Sequence, residues 1–69
     1  MSLPTVTVKS ENAWAHLYAD DLDTILGEFR PGEVAFVLPG LRHHLWHTFR
    51  KVILKDKWGW VTADALVDI

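Results

Sequence analysis

Four tryptophans, Trp14, Trp46, Trp58 and Trp60, hold most of the recognition chemistry available to this 69-residue chain. Each indole can bury some 200 Å² and still offer an N–H. Trp58 and Trp60 stand two apart, so on a strand they share one face and form a platform on which a peptide, a sugar or a base could stack. The competing reading is that they cover the core or fill a contact between copies, because a chain this short has little core of its own. Tyr18 and Trp46 carry the same two readings.

His43, His44 and His47 follow Arg42 and would suit zinc or nickel through neutral imidazoles, with His43 and His47 on one strand parity and His16 as a further ligand. No carboxylate or thiolate lies close to them in sequence, so the expectation is a solvated loop and no metal. Asp20, Asp21 and Asp23 could meet a cation or a basic partner, or simply form a solvated acidic loop; no glutamate closes a twelve-residue calcium loop after them. There is no cysteine, and Ser10 is the only serine beyond Ser2. With no phosphate-cradling glycine loop and no nucleophile beside a base, the chain reads as a non-enzyme without a cofactor.

Seven Lys and Arg against nine Asp and Glu give a net charge of −2. So weak a field disfavours nucleic acid and anionic lipid, although Arg42, Arg50 and Lys51 could line a basic edge. Hydrophobic residues make up 49% of the chain, enough to exclude disorder, but no apolar run approaches the ~20 residues of a membrane span. Met1-Ser2-Leu3 lacks the charged and apolar regions of a secretory signal, so the expectation is a cytoplasmic protein or a fragment of a longer chain. Residues 1–69 are expected to form one domain.

Positioning these side chains falls to short strands. Thr5–Lys9 is β-branched and follows Pro4. Residues 13–23 read as a long loop with hairpin character, although Trp14, Leu17, Tyr18 and Asp21 also fit one face of a helix. Thr24–Phe29 is a strand running into Arg30-Pro31-Gly32-Glu33, where Pro and Gly fit the second and third positions of a type II turn. Glu33–Leu38 alternates as the next strand, and Leu38-Pro39-Gly40-Leu41 repeats the turn chemistry, with Arg42 to Leu45 extending the loop. Trp46–Leu54 is apolar on both parities, the mark of a strand buried partly on each face. Lys55-Asp56-Lys57 is a tight hairpin, with Asp56 as the left-handed residue. Trp58–Val61, one helical turn over Thr62–Ala65 and the strand Leu66–Ile69 complete the chain. Turns every 8–12 residues indicate a small barrel or sandwich.

The stretch from Gly59 to Val67, GWVTADALV, resembles the strand, single 3₁₀ turn and final strand that close SH3 domains, most nearly those of the bacterial type. His16-Leu17-Tyr18-Ala19-Asp20 is similar to their alanine-leucine-tyrosine-aspartate-tyrosine segment, and Phe29 to Glu33 to their diverging turn. Trp46 falls where their third strand begins, and Lys55 to Lys57 where their distal hairpin turns. The resemblance implies an all-β, SH3-like five-stranded barrel with one short 3₁₀ turn. It also implies a protein or peptide partner held on an aromatic face built by Tyr18, Trp46 and Trp60, to which the platform argument adds Trp58. Thr62 stands where the family pattern has proline and Ala65 where it has a second tyrosine, so the expected ligand is not the proline-rich peptide of eukaryotic SH3 domains. The alternative is a structural domain that associates with itself and buries those aromatics between copies.

Overall fold

Apolar residues at every second position produce seven strands in the computed structural model, which describes residues 3–69. They are β1 (Thr5–Val8), β2 (Ala15–Tyr18), β3 (Ile25–Phe29), β4 (Ala35–His44), β5 (His47–Leu54), β6 (Lys57–Thr62) and β7 (Leu66–Asp68). A single 3₁₀ turn, Ala63–Ala65, separates β6 from β7. All pairings are antiparallel in the order β3-β2-β6-β5-β4-β1-β7, and the sheet curls into a half-barrel. The fold is therefore all-β, with seven strands where five were expected. Six of the seven correspond to segments read from the sequence; the seventh is β2, which lies in the expected loop 13–23, pairs with β3 as a true hairpin and joins the sheet through Tyr18 and Trp60.

The concave side is filled by one residue of each alternating pair: Val6 and Val8, Ala15 and Leu17, Ala35 and Val37, Val52 and Leu54, with Phe29, Val61, Ala65 and Leu66. These close the main core. β5 buries Phe49 on its other parity, as its double-sided pattern predicts, and this residue belongs to a second cluster on the convex face.

Two turns follow their residue chemistry. Gly32 has φ of +93°, and the Glu33 amide donates to the Arg30 carbonyl at 3.1 Å, as the Pro-Gly turn requires. The Glu33 carboxylate accepts the Arg30 amide at 2.9 Å and lies 3.1 Å from the Lys55 ammonium, while Thr7 Oγ1 donates to the Glu33 carbonyl. These contacts tie the turn to β1 and to the β5–β6 hairpin, and the Arg30 amide foremost, with the Lys55 ammonium, holds the Glu33 carboxyl below its ordinary range.

Elsewhere the expectations need correction. Leu38-Pro39-Gly40-Leu41 does not turn the chain; it is absorbed as an irregularity inside β4, where pairing with β5 slips between Val37 and Leu41. Proline cannot donate to the ladder, and Gly40, with φ of +125°, allows the strand to kink and continue rather than end. The reversal comes later, at Leu45-Trp46, so Trp46 is a turn residue and not the start of a strand. In the β5–β6 turn the left-handed residue is Lys55, with φ of 58°, and not Asp56. Met1-Ser2, part of the expected non-secretory start, lies outside the described residues. Among the described residues no helix is long and apolar enough to cross a membrane.

Gly59 marks the tightest point of the fold. A Cβ there would stand 2.5 Å from the Tyr18 carbonyl oxygen and 3.1 Å from two carbons of Leu17. Backbone cannot yield as a flexible side chain can. Gly59→Ala should lower stability by about 1–3 kcal/mol in denaturant titration. Gly27→Ala should be neutral or slightly stabilising, because its Cβ would meet nothing nearer than the Lys57 amine at 4.0 Å.

Candidate functional site

Because the concave parity of β6 is Gly59 and Val61, Trp58 and Trp60 both point to the convex face, as their spacing requires. They meet different surroundings. Trp60 is 7% exposed and packs with Leu22 and Phe49, with Tyr18 against the group. Trp58 is 50% exposed. Register explains the contrast, since Lys51 pairs with Trp60 at the centre of the sheet, whereas Trp58 pairs with Ile53 nearer the end of β5 and beyond the cover of Leu22.

The β2–β3 turn supplies that cover. Leu22, at φ of 57°, folds back beneath the Leu22 amide's hydrogen bond to the Ala19 carbonyl, and the Trp60 indole N–H donates to Asp20 Oδ1 at 2.9 Å. Arg42 donates to the Asp20 carbonyl, and its guanidinium lies 5.3 Å from the Trp60 ring centre. The Lys51 ammonium stands 4.5 Å from the Trp58 ring centre and 5.9 Å from that of Trp60. Two cations thus rest on the π-faces of the tryptophan pair.

Asp21 locks the turn. Its carboxylate accepts the Asp23 amide at 3.0 Å, the Thr24 amide at 2.9 Å and the Thr24 hydroxyl at 2.7 Å. Hydrogen bonding to the charged form, with the Thr24 amide foremost, lowers its pKa from 3.8 to about 2. The acidic loop is thereby an ordered element whose three aspartates differ in role: Asp21 builds the turn, Asp20 anchors it to Trp60, and the Asp23 carboxylate makes no hydrogen bond or ion pair among the described residues.

From Tyr18 an aromatic row extends in both directions. Trp14 and His16 rings lie 4.3 Å apart, His16 and Tyr18 5.7 Å, Tyr18 and Phe49 5.9 Å, and Phe49 and His47 6.3 Å, all edge to face. Beside Trp58, the cross-strand row Phe36, Ile53 and Trp58 runs over β4, β5 and β6, with Phe36 also 50% exposed. The surface is apolar and aromatic, with Lys51 at its centre. Such a surface can hold an apolar or aromatic segment; among the described residues it presents no nucleophile and base in contact.

Of the four residues expected to build the face, Tyr18, Trp58 and Trp60 come together and Trp46 does not. Trp46 stands at the tip of the β4–β5 hairpin, 96% exposed. The place opposite Tyr18 on β5 belongs to Phe49, three residues later. Leu22, Phe36, Phe49 and Ile53 were missed. Phe49 could have been found from its parity, since it is the aromatic among the residues of β5 on the side opposite Val52 and Leu54. The histidines also separate: His44 pairs with His47 and His43 with Thr48, so His43 and His47 do not share a face. Among the described residues no group of three or more His, Cys, Asp or Glu could hold a metal ion.

No protein-family model, curated protein or solved structure matches the chain.

Asp21 gives the site an acid limit. Its folded pKa is depressed, so the stabilisation from its three hydrogen bonds is present above pH 3.8 and is lost as the pH falls through about 2. Acid titration followed by NMR should show the Asp23 and Thr24 amides moving together over that interval, with the Trp60 indole resonance shifting as Leu22 lifts. Asp21→Ala should disorder the turn at neutral pH and abolish the acid step.

Proposed function

We propose that this chain is a non-enzymatic protein-interaction module of SH3-like type, which holds an extended segment of a partner protein across the convex face of β4, β5 and β6. The observation that carries the reading is the exposure of Trp58 and Phe36 in one row, on a bed of fully packed aromatics. Contiguous apolar surface on a small domain marks an interaction site, and an anchor is strongest where its own position is rigid. Trp58 meets that condition, because Lys51 covers one ring face and Gly59, immediately after it, is locked against β2.

The likeness to SH3 domains supports the same reading. A β2–β3 hairpin folded onto the sheet, a closing 3₁₀ turn and an aromatic convex face agree with the pattern read from HLYAD and GWVTADALV. Within this assignment Phe49 takes the role expected of Trp46, and Thr62 and Ala65 leave the region past Trp60 without proline or tyrosine. The ligand therefore engages the Trp58 end of the face more than the Thr62 end. Apolar residues in the partner segment would meet Phe36, Ile53 and Trp58, and an acidic residue would meet Lys51. Function in a soluble, cytoplasmic setting accords with the composition.

The reading is tested by selecting peptides from a displayed library against the wild-type domain and measuring the same peptides on single variants. Trp58→Ala should weaken binding about 30-fold or more, as loss of an interface anchor does, with little change in melting temperature. Trp60→Ala should instead cost about 3–5 kcal/mol of stability, as loss of a core aromatic does. Selected peptides that bind Trp58→Ala as tightly as wild type would remove the face from consideration.

A further inference from the structure

Proline and glycine inside β4 work against the sheet. Pro39 has no N–H for the ladder, and Gly40, at φ of +125°, adds no side chain to it. Their effect shows in the register. From Val37 to Leu41 is four residues, while from Val52 to Arg50 opposite them is two, so β4 carries two surplus residues that bow away from β5. None of Leu38, Pro39, Gly40 and Leu41 is buried, and the bulge therefore adds nothing to the core. Departures from local rules that the packing does not repay gather at sites, and bulges in particular lie beside them.

What the bulge does make is room. Between it, the start of β1 and Arg50 lies an open cavity of about 430 Å³, within the size range of ligand pockets. Its apolar walls include Leu3, Pro4, Val37 and Leu41. Leu41 is 62% exposed and Leu3 43%, so the described residues leave these walls uncovered. Arg50 shares strand parity with Val52 and Leu54 of the concave core and stands opposite Leu41. The cavity therefore continues the open end of that core, on the other side of the sheet from Trp58 and Phe36.

Arg50 is the charged residue of this lining, and little holds it. Its side chain is only 29% exposed, yet among the described residues it makes no hydrogen bond, unlike Arg30 and Arg42. Its ion pair with Asp68 spans 3.6 Å, to a carboxylate that is itself 82% exposed. That is longer than the roughly 2.7–2.9 Å of a charge-assisted hydrogen bond, and so exposed a pair adds little. A guanidinium presents a planar fork of donors that matches a carboxylate, and here the fork is largely unused. We propose that the cavity binds a small apolar carboxylic acid. Its ionised carboxylate takes the Arg50 fork in place of Asp68, and its hydrocarbon body, of side-chain size, lies against Leu3, Pro4, Val37 and Leu41. A plain anion would gain nothing from the walls, and a plain hydrocarbon would leave the guanidinium as it is. Only the combination uses both.

Titration with isocaproate at neutral pH, followed by amide chemical shifts, tests the proposal. The Gly40, Leu41 and Arg50 amides should move together with a dissociation constant in the millimolar range, the scale of so small a ligand, while the Trp58 indole stays in place. Isocaproamide, with the same body and no charge, should bind at least about 10-fold more weakly. Arg50→Met keeps the apolar stem of the side chain and should lose binding by the same factor. Asp68→Asn, at an exposed position, should tighten binding about two- to five-fold, because it removes the competing carboxylate. Shifts that gather on Lys51 and Trp58 instead, equal binding of isocaproamide, a folded Arg50→Met that binds like wild type, or an Asp68→Asn that binds no more tightly would each overturn the proposal. A leucine-terminated peptide that binds more tightly than isocaproate, and loses the gain when its end is amidated, would overturn the small acid in favour of a chain terminus. Trp58→Ala should leave isocaproate binding unchanged, which keeps failure of this site apart from failure of the partner-binding face.

Discussion

The convex face exists because β2 can approach β6 at Gly59. With 2.5 Å between the Tyr18 carbonyl and the place a Cβ would take, any other residue there would push the β2–β3 hairpin away from the sheet. The hairpin would then lose its one paired residue on β6, Tyr18 opposite Trp60. Everything above that contact depends on it. Asp20 reaches the Trp60 indole, Leu22 lies over Phe49, and Arg42 ties the hairpin to β4. A missing side chain on the concave side thereby sets the positions of Asp20, Leu22 and Arg42 on the other.

Seating the hairpin also divides the aromatic residues into two kinds. Trp60 and Phe49 are covered and give the domain a second core; Trp58 and Phe36 lie outside the cover and remain available. A chain of this size gains from burying aromatics on both faces of its sheet, because the concave core alone draws mainly on Val, Leu and Ala with one Phe. The cations complete the arrangement. Lys51 lies between the two tryptophans, close enough to each ring to be held without an acidic partner, so it keeps its charge facing the surface.

Much of this was legible from alternation and turn chemistry. The shared face of Trp58 and Trp60 follows from their spacing, the double-sided burial of β5 from its two apolar parities, and the Arg30 to Glu33 turn from Pro-Gly. The hairpin character of residues 13–23 was legible too, although not the strand Ala15–Tyr18 within it. What misled was Leu38-Pro39-Gly40-Leu41. Proline followed by glycine signals a turn locally, but here the neighbouring β5 offers partners on both sides of the pair, and the ladder resumes at Leu41 opposite Arg50. The strand therefore continues, the reversal moves to Leu45-Trp46, and every assignment based on β5 starting at Trp46 shifts. That single displacement removes Trp46 from the face and puts Phe49 there. Tertiary pairing overrode local propensity, and no window of a few residues contains that information.

The same displacement gives the molecule its polarity. Had the chain turned at Pro39-Gly40, Arg42 and the histidines would have lain in a loop near the base of the sheet and Trp46 within it. Continued pairing instead projects residues 41–50 as an arm, in which Arg42, His44, His47 and Phe49 share one side through the register of the hairpin. The arm is free of carboxylates, whereas the β2–β3 turn carries Asp20, Asp21 and Asp23 with no cation among residues 10–29. Arg42 already joins these two regions within one chain through the Asp20 carbonyl. Leu45 and Trp46 take no part in that contact, so the base of the arm is tied to the β2–β3 turn while its tip stays exposed.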